Sequence, residues 1–403
     1  IFDPALKSRQ ADRMRALREK DSVEVVSKYK VRLHLAYPDG GFLNRLANSG
    51  LIVPPKYYAS HDPKYLAARP VGSGPYLLKE WVRDDHALYE ANPTFYDPQY
   101  PKVKRVLAKI IPEDGARVAA LVKGEVDVIF DVPPPMFDRI NQSGKARVVS
   151  KPGIRIFRLG FYSLWGGALA DRRVREAVAR SIDRAILRKS VLQGAAVEVT
   201  QIFHPLIMDG YLSPEEYPYP YGYDPAKAKK LLAEAGYPNG IDLDLAAETG
   251  GYMKAKEAAE VVAGMLLKAG IRVKLDALSS FAYRNRFLKH RAQAGPDYAP
   301  FLFFHSFGGG NGDPDVQVTT LLGCKGAWSG WCDKEIDKMA DEAATQTGPA
   351  RRHEAFAAIA KKGSEDLVVV PLYRLNSTFG LSNRVDWDPR VDERAMAWEI
   401  GMK

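Results

Sequence analysis

The stretch most suggestive of chemistry is FGGGNGDPD at residues 307–315, in which glycines precede two aspartates. A phosphate loop would need Gly-Lys-Ser/Thr where Asp-Pro-Asp stands, and a calcium loop needs a twelve-residue pattern closed by Glu. Glycines also let a ligand approach the main chain closely. We therefore interpret Phe307, Gly308, Gly309 and Gly310 as the lip of a binding cleft. The alternative is a tight turn before a helix that Asp313 caps and Pro314 begins.

Residue types used in catalysis are present, but they do not form catalytic patterns. Seven histidines are scattered along the chain without an HExxH motif, and no Gly-x-Ser-x-Gly nucleophile elbow occurs. The sequence therefore predicts no catalytic residue, no metal site and no cofactor, and so not an enzyme. His305 lies in an apolar run next to the glycines. We predict that it contacts a ligand, the alternative being a hydrogen-bonded histidine of the core.

The chain has two cysteines, Cys324 and Cys332, which are eight residues apart. A lone pair is a poor zinc site, and a catalytic thiol would need a histidine nearby. A disulfide that closes a short loop fits best and indicates an oxidising compartment.

The elements around the glycine loop predict where it lies. YAPFLFFHSF (298–307) is apolar on both faces, as a central strand covered by helices would be. Before it, two helices each end at a glycine that a strand follows: one ends at Gly236, and the other covers 254–269 and ends at Gly270. This alternation indicates an α/β layer. Open α/β sheets bind ligands outside the carboxyl ends of their strands, and the glycine loop begins at such an end.

Three further segments have readable patterns. Residues 4–20 are helical in pattern, and VEVVSKYKVRLHL (23–35) predicts a β-hairpin. A strand over 103–111, a helix capped by Asp114 and a strand over 126–130 predict a right-handed parallel crossover.

Length and charge limit the class of protein. A chain of 403 residues is longer than one ordinary hydrophobic core can accommodate, which predicts two or three domains. No apolar run approaches the roughly 20 residues that span a bilayer. The net charge of +9 is spread along helices and mixed with acids, so we predict no binding of nucleic acid.

Four segments, in order, resemble the large solute-binding proteins of ABC importers, the oligopeptide- and dipeptide-binding family called family 5. They are RPVGSGPYLLKEW (69–81), VLAKIIPEDGARVAALVKGEVDVI (106–129), ADRRVREAVARSIDRAIL (170–187) and YDPAKAKKLLAEAGYPNG (223–240).

The resemblance implies a periplasmic-binding-protein-like α/β fold of type II, in the large three-domain cluster. Mixed sheets flanked by helices would form two lobes with the ligand cleft between them. Residues 1–66 would be the remainder of domain II, whose N-terminal part is expected to be missing from this chain. Residues 67–165 and 375–403 would form domain I, and 166–374 domain III. Gly72, Ser73 and Gly74 match the hinge motif.

The implied function is that of the extracytoplasmic substrate-binding component of an ABC importer. It would be a periplasmic monomer, exported by a signal peptide that this chain does not contain, and would deliver a peptide or other small solute to the membrane permease subunits. The alternative is the ligand-sensing domain of a regulator with the same fold.

The resemblance also bears on the ligand. Trp331, Tyr373 and Phe161 are further candidates for ligand contact. In dipeptide-binding relatives an aspartate in the glycine loop pairs with the peptide's amino terminus, and here Gly310 stands in its place. An arginine expected before the helix at 254–269 is missing from AAETGGYMK. Both charge anchors of a short-peptide site are therefore expected to be absent.

Overall fold

The computed structural model describes residues 14–17, 21–203, 209–249, 251–292, 300–308, 312–392 and 394–403. The chain divides into two compact units. Unit 1 consists of Ile1–Ser49 and Ile154–Leu375, and unit 2 of Gly50–Gly153 and Asn376–Lys403. The division into three domains expected from the sequence stays a prediction.

The helices of the described residues have the following bounds: α1 (Phe42–Ser49), α2 (Pro55–Ala59), α3 (Pro63–Ala68), α4 (Asp114–Lys123), α5 (Phe137–Asn141), α6 (Arg172–Arg180), α7 (Arg184–Ile186), α8 (Pro225–Glu234), α9 (Ala255–Lys268), α10 (Ser280–Ala292), α11 (Pro314–Leu321), α12 (Lys334–Thr345) and α13 (Pro349–Glu365).

The strands have the following bounds: β1 (Val23–Ser27), β2 (Lys30–Leu33), β3 (Tyr76–Val82), β4 (His86–Ala91), β5 (Arg105–Lys109), β6 (Val128–Phe130), β7 (Ala146–Tyr162), β8 (Ala196–Val197), β9 (Ile241–Glu248), β10 (Ile271–Leu278), β11 (Phe301–Phe307), β12 (Val369–Ser382), β13 (Val385–Asp386) and β14 (Gly401–Met402).

The largest sheet has the strand order β10-β9-β11-β7-β12-β6, with β8 paired to β12. Strands β9, β10 and β11 run parallel, and β7 runs antiparallel to β11. Strand β11 is buried on both faces except at its last residue, which confirms the prediction of a central strand. Helix α9 covers one face through a cluster that includes Leu245 and Phe304, and α10 covers the other through Phe287 and Phe303.

Local signals in the sequence set the ends of several helices. The Asp313 carboxylate accepts a hydrogen bond from the Asp315 amide, and Pro314 is the first residue of α11, which confirms both predictions. Gly236 has a φ of 96°, the left-handed conformation predicted after α8. Helix α4 is capped by the Glu113 side chain, so the prediction of Asp114 as its cap was wrong by one residue.

The predicted parallel crossover between residues 103–111 and 126–130 was also wrong. Strand β5 belongs to a three-stranded sheet of order β3-β4-β5, whereas β6 pairs antiparallel with β12 in the large sheet. The three-stranded sheet is an antiparallel meander, in which hairpins place each strand beside the one before it. The helix between β5 and β6 therefore connects two sheets.

The predicted hairpin is confirmed, since β1 and β2 pair antiparallel. The helix predicted over 4–20 lies mostly outside the described residues. Within this range, the described residues Arg15–Leu17 form a 3₁₀ turn. Gly72–Gly74 precede β3 inside unit 2, and their role as a hinge stays a prediction.

Candidate functional site

The candidate site lies in unit 1, at the carboxyl edge of the parallel strands. Strand β9 ends at Glu248 and β11 at Phe307. The antiparallel β7 reaches the same edge, because Arg158 lies opposite His305 and Phe157 opposite Ser306. The register therefore brings charged and polar side chains from three strands to the edge at which open α/β sheets bind ligands.

On the face covered by α10, His305 is fixed by contacts on every side. Its Nδ1 lies 3.3 Å from Nη2 of Arg158, which donates to it, and its Nε2 lies 3.4 Å from Oε2 of Glu248. The ring stacks on Tyr283 and on Trp328, with centroids 5.5 and 4.9 Å away. Because His305 is only 4% exposed, its ring contacts protein on both faces.

Burial and two arginines determine the charge of this cluster. Burial, then Arg158 and Arg155, hold the pKa of His305 well below its usual range. Burial raises the pKa of Glu248 and lowers the pKa of Arg158 to about 10. At neutral pH His305 is therefore an uncharged ring, and its approach to Glu248 is not an ion pair.

The buried neutral histidine makes stability depend on pH. In the unfolded chain the pKa of this histidine is about 6.5, so below that pH the unfolded state binds a proton that the folded state does not. The free energy of unfolding therefore falls by up to about 1.4 kcal/mol for each unit by which the pH is lowered. The raised pKa of Glu248 acts in the opposite direction. We expect His305→Gln to lose stability less steeply than the wild type in urea unfolding between pH 7.5 and 5.5. Equal slopes for wild type and His305→Gln would contradict the expectation.

On the opposite face, Arg155 is held against Tyr252. Its guanidinium carbon lies 4.7 Å from the centre of the tyrosine ring, and Nη1 donates to the hydroxyls of Tyr252 and Ser306, each at 3.3 Å. Tyr252 belongs to the segment before α9 in which the sequence has no arginine. Strand β7 thus brings a cation to this segment from elsewhere in the chain.

The predicted cleft residues of the glycine loop are only partly described. Phe307 is half-buried and packs against the cluster formed by α11, α12 and α13, and Gly308 is buried directly after β11. Gly309 and Gly310 lie outside the described residues. The prediction that the four residues line a cleft stays a prediction.

The aromatic candidates are positioned by the core. Phe161 and Tyr373 are fully buried in the large cluster beneath α6 and α9, where Tyr373 stacks on Phe157 at 4.9 Å. Trp331 is half-buried with Arg175 4.4 Å above its ring. Ligand contact by any of the three stays a prediction.

Cys324 and Cys332 form the predicted disulfide. The loop that it closes carries Trp328, whose ring stacks on His305. The loop is fixed at Cys324, where Arg291 donates to the carbonyl at 2.6 Å and Asp337 accepts from the amide at 3.0 Å. The disulfide therefore supports one wall of the histidine cluster.

Removal of the disulfide should destabilise unit 1. For a loop of this length the chain-entropy model gives about 2–3 kcal/mol. We expect the double variant Cys324→Ser/Cys332→Ser to lose that amount in urea unfolding, and the unreduced, unfolded wild type to release no thiol in a colorimetric titration. Two free thiols per chain would contradict the pairing.

The sequence interpretation missed Arg155 and Arg158. Both lie in GIRIFRLGFY (153–162), in which they are the charged residues of an otherwise apolar stretch. Charges within a buried strand need local partners, because burial of an isolated charge is costly. Two arginines in an apolar stretch were therefore the signal from which their role at the site could have been predicted.

Among the described residues, no group of three or more His, Cys, Asp or Glu side chains is placed to hold a metal ion. No helix in the described ranges combines the length and the apolar character needed to span a membrane.

The sheet and the helices on its two faces define a mixed α/β fold with a polar carboxyl edge. Residues 1–329 match the family of bacterial extracellular solute-binding proteins, family 5 Middle, and the chain belongs to this family. The recognised family and the fold class are therefore confirmed.

Individual relatives are more distant. The dipeptide-binding protein of Escherichia coli is 27% identical over 83% of this chain and 62% of its own length. Heme-binding protein A of Haemophilus influenzae is 26% identical over 83% of this chain and 61% of its own length. The chain thus spans less than two thirds of these relatives. The binding protein AgaA of A. tumefaciens R10, solved with agropinic acid, shares the fold with a TM-score of 0.82 at 22% identity, over all of this chain and 81% of that one.

Proposed function

We propose that this protein is the extracytoplasmic substrate-binding component of an ABC importer. It binds a peptide or other small solute without chemical conversion and delivers it to membrane permease subunits. It acts as a periplasmic monomer. The observation that carries the proposal is the polar carboxyl edge of a buried α/β sheet in a chain of the family 5 solute-binding proteins.

The relatives differ in their ligands, so the family alone does not give the solute. The similar proteins bind a dipeptide, heme and agropinic acid, as their names state. Gly310 stands where dipeptide binders are expected to hold an aspartate, and a buried ammonium without a counter-charge costs several kcal/mol. We propose that free dipeptides bind weakly, and that a longer or N-terminally blocked peptide, or a non-peptide solute, is the ligand.

The test is to purify the full-length protein from its native host and identify the co-purifying solute by mass spectrometry. Calorimetry should then return a single saturable site for that solute, and deletion of the gene should slow its uptake by cells. Tight binding of Ala-Ala that is lost on N-acetylation would refute the assignment of the ligand. Unimpaired uptake of the bound solute in the deletion strain would refute the role in import.

A further inference from the structure

The outer face of α10 carries an exposed apolar stripe. Tyr283 and Phe287 turn toward the sheet and are buried there, whereas Phe281 and Leu288, on the opposite side of the helix, are 76% and 42% exposed. Because these two residues are seven positions apart, about two helical turns, their side chains align along the helix. The outer face of a surface helix is ordinarily polar. Helix α10 therefore has a second apolar stripe besides the one that packs on the sheet.

Two cations flank this stripe, one on each side. With 3.6 residues per turn, Arg284 lies about 60° to one side of Phe281 and Lys289 about 80° to the other. Both side chains are exposed. Among the described residues, neither forms an ion pair with a carboxylate, whereas Arg286 on the inner side pairs with an aspartate of β9 and one of β10. The stripe is thus bordered by positive charge.

Neighbouring elements extend the same chemistry. The indole of Trp165 is exposed, and its Nε1 donates to the carbonyl of His290 in the last turn of α10 at 3.3 Å. Lys274 is exposed on β10 and lies on the same side of that strand as Asp276, which pairs with Arg286 of α10. Tryptophan is common at membrane–water interfaces, where its ring is buried and its N–H stays hydrogen-bonded.

We propose that this surface, the α10 face (Trp165, Phe281, Arg284, Leu288 and Lys289), associates reversibly with an anionic lipid bilayer. Apolar side chains at the centre of the stripe would enter the headgroup region, and the long cations on both sides would reach lipid phosphates.

The lengths and charges of the α10 face fit a surface association. Helix α10 has 13 residues, fewer than the roughly 20 that span a bilayer, so it would lie on the membrane. Exposed cations without exposed acids beside them favour an anionic surface over a zwitterionic one. The inference goes beyond the proposed function and does not depend on the identity of the solute.

The test is co-sedimentation of the full-length protein with two kinds of vesicle. One contains equimolar phosphatidylglycerol and phosphatidylcholine, and the other contains phosphatidylcholine alone. We expect the wild type to sediment with the anionic vesicles and not with the zwitterionic ones, and to be released as the salt concentration rises.

Variants of the α10 face should weaken this binding. Arg284→Gln/Lys289→Gln should lower the partition coefficient on anionic vesicles by about tenfold to thirtyfold, because each cation near such a surface contributes about fivefold. Phe281→Ser should lower it by about threefold to tenfold, because less apolar surface enters the headgroup region. Both variants should unfold at nearly the wild-type temperature, since the changed side chains are exposed.

Matched controls lie on the helices that cover the other face of the sheet. Lys229→Gln/Lys268→Gln changes the net charge by the same amount on α8 and α9, and Leu267→Ser removes an exposed apolar side chain from α9. Both should bind the anionic vesicles as the wild type does.

The outcomes are distinct. Equal sedimentation with both kinds of vesicle, or an equal loss of binding in the control variants, would overturn the inference. Retention on vesicles only when they carry the permease would show that the α10 face docks to protein, and would overturn the assignment to lipid. None of these results involves binding of the solute, so the proposed function is tested separately.

Discussion

Replacement of Arg352 by methionine should lower the free energy of unfolding by about 3–5 kcal/mol, the largest loss expected from a single polar substitution here. Arg352 is buried in α13, where Nη2 donates to both carboxylate oxygens of Asp313 at 2.9 Å and Nε donates to Asp209 at 3.0 Å. Asp313 is itself 1% exposed. Arg45 lies 3.9 Å from Asp313, so the substitution leaves a buried carboxylate with a more distant cation in place of the one that donates to both of its oxygens.

The measurement is urea unfolding with two comparison variants. Arg351→Met changes the exposed neighbour on the same helix and should cost within about 0.5 kcal/mol of zero. In the double variant Arg352→Met/Asp313→Asn the buried negative charge at position 313 is gone while the amide oxygen still caps α11, so part of the stability should return. A loss below about 1 kcal/mol in Arg352→Met would show that Asp313 does not depend on Arg352.

This network also explains why Asp313 was understood only in part from the sequence. Its role as a helix cap followed from Asp-Pro at the start of a helical pattern, which is local information. Its pairing with Arg352 joins residues 39 positions apart, and no periodic pattern in the sequence predicts that contact. The same holds at the candidate site, where the prediction placed the glycine loop at a strand end but could not place Arg155 against Tyr252, 97 positions away.

The elements themselves were largely predictable because their signals are short-range. Glycine stops, aspartate caps and the two-faced apolar run of β11 each act within a few residues. The pairing of strands was not predictable in the same way, because β5 and β6 flank one helix but belong to separate sheets. Strand pairing depends on how much apolar surface the whole sheet buries on each face, and the sequence of a single strand does not determine that amount.

The aromatic candidates also show that a local pattern does not distinguish a ligand contact from a core residue. Phe161 was chosen as a residue that contacts ligand, but its side chain is fully buried among the residues that α6 and α9 place on the sheet. We expect Phe161→Ala to lower the free energy of unfolding by about 3–5 kcal/mol, because it leaves a cavity in a packed core. Affinity for the co-purified solute, measured by calorimetry well below the melting temperature, should change by less than about twofold.

Phe281→Ala is the matched control, because Phe281 is 76% exposed at the start of α10 and its removal creates no cavity. Its stability should stay within about 0.5 kcal/mol of the wild type. If Phe161→Ala instead unfolds like the wild type but loses the solute, Phe161 must reach the ligand, and the core packing described here would not be that of the bound protein. A loss of stability without a loss of affinity would place Phe161 in the scaffold that holds β7, and with it Arg155, in position.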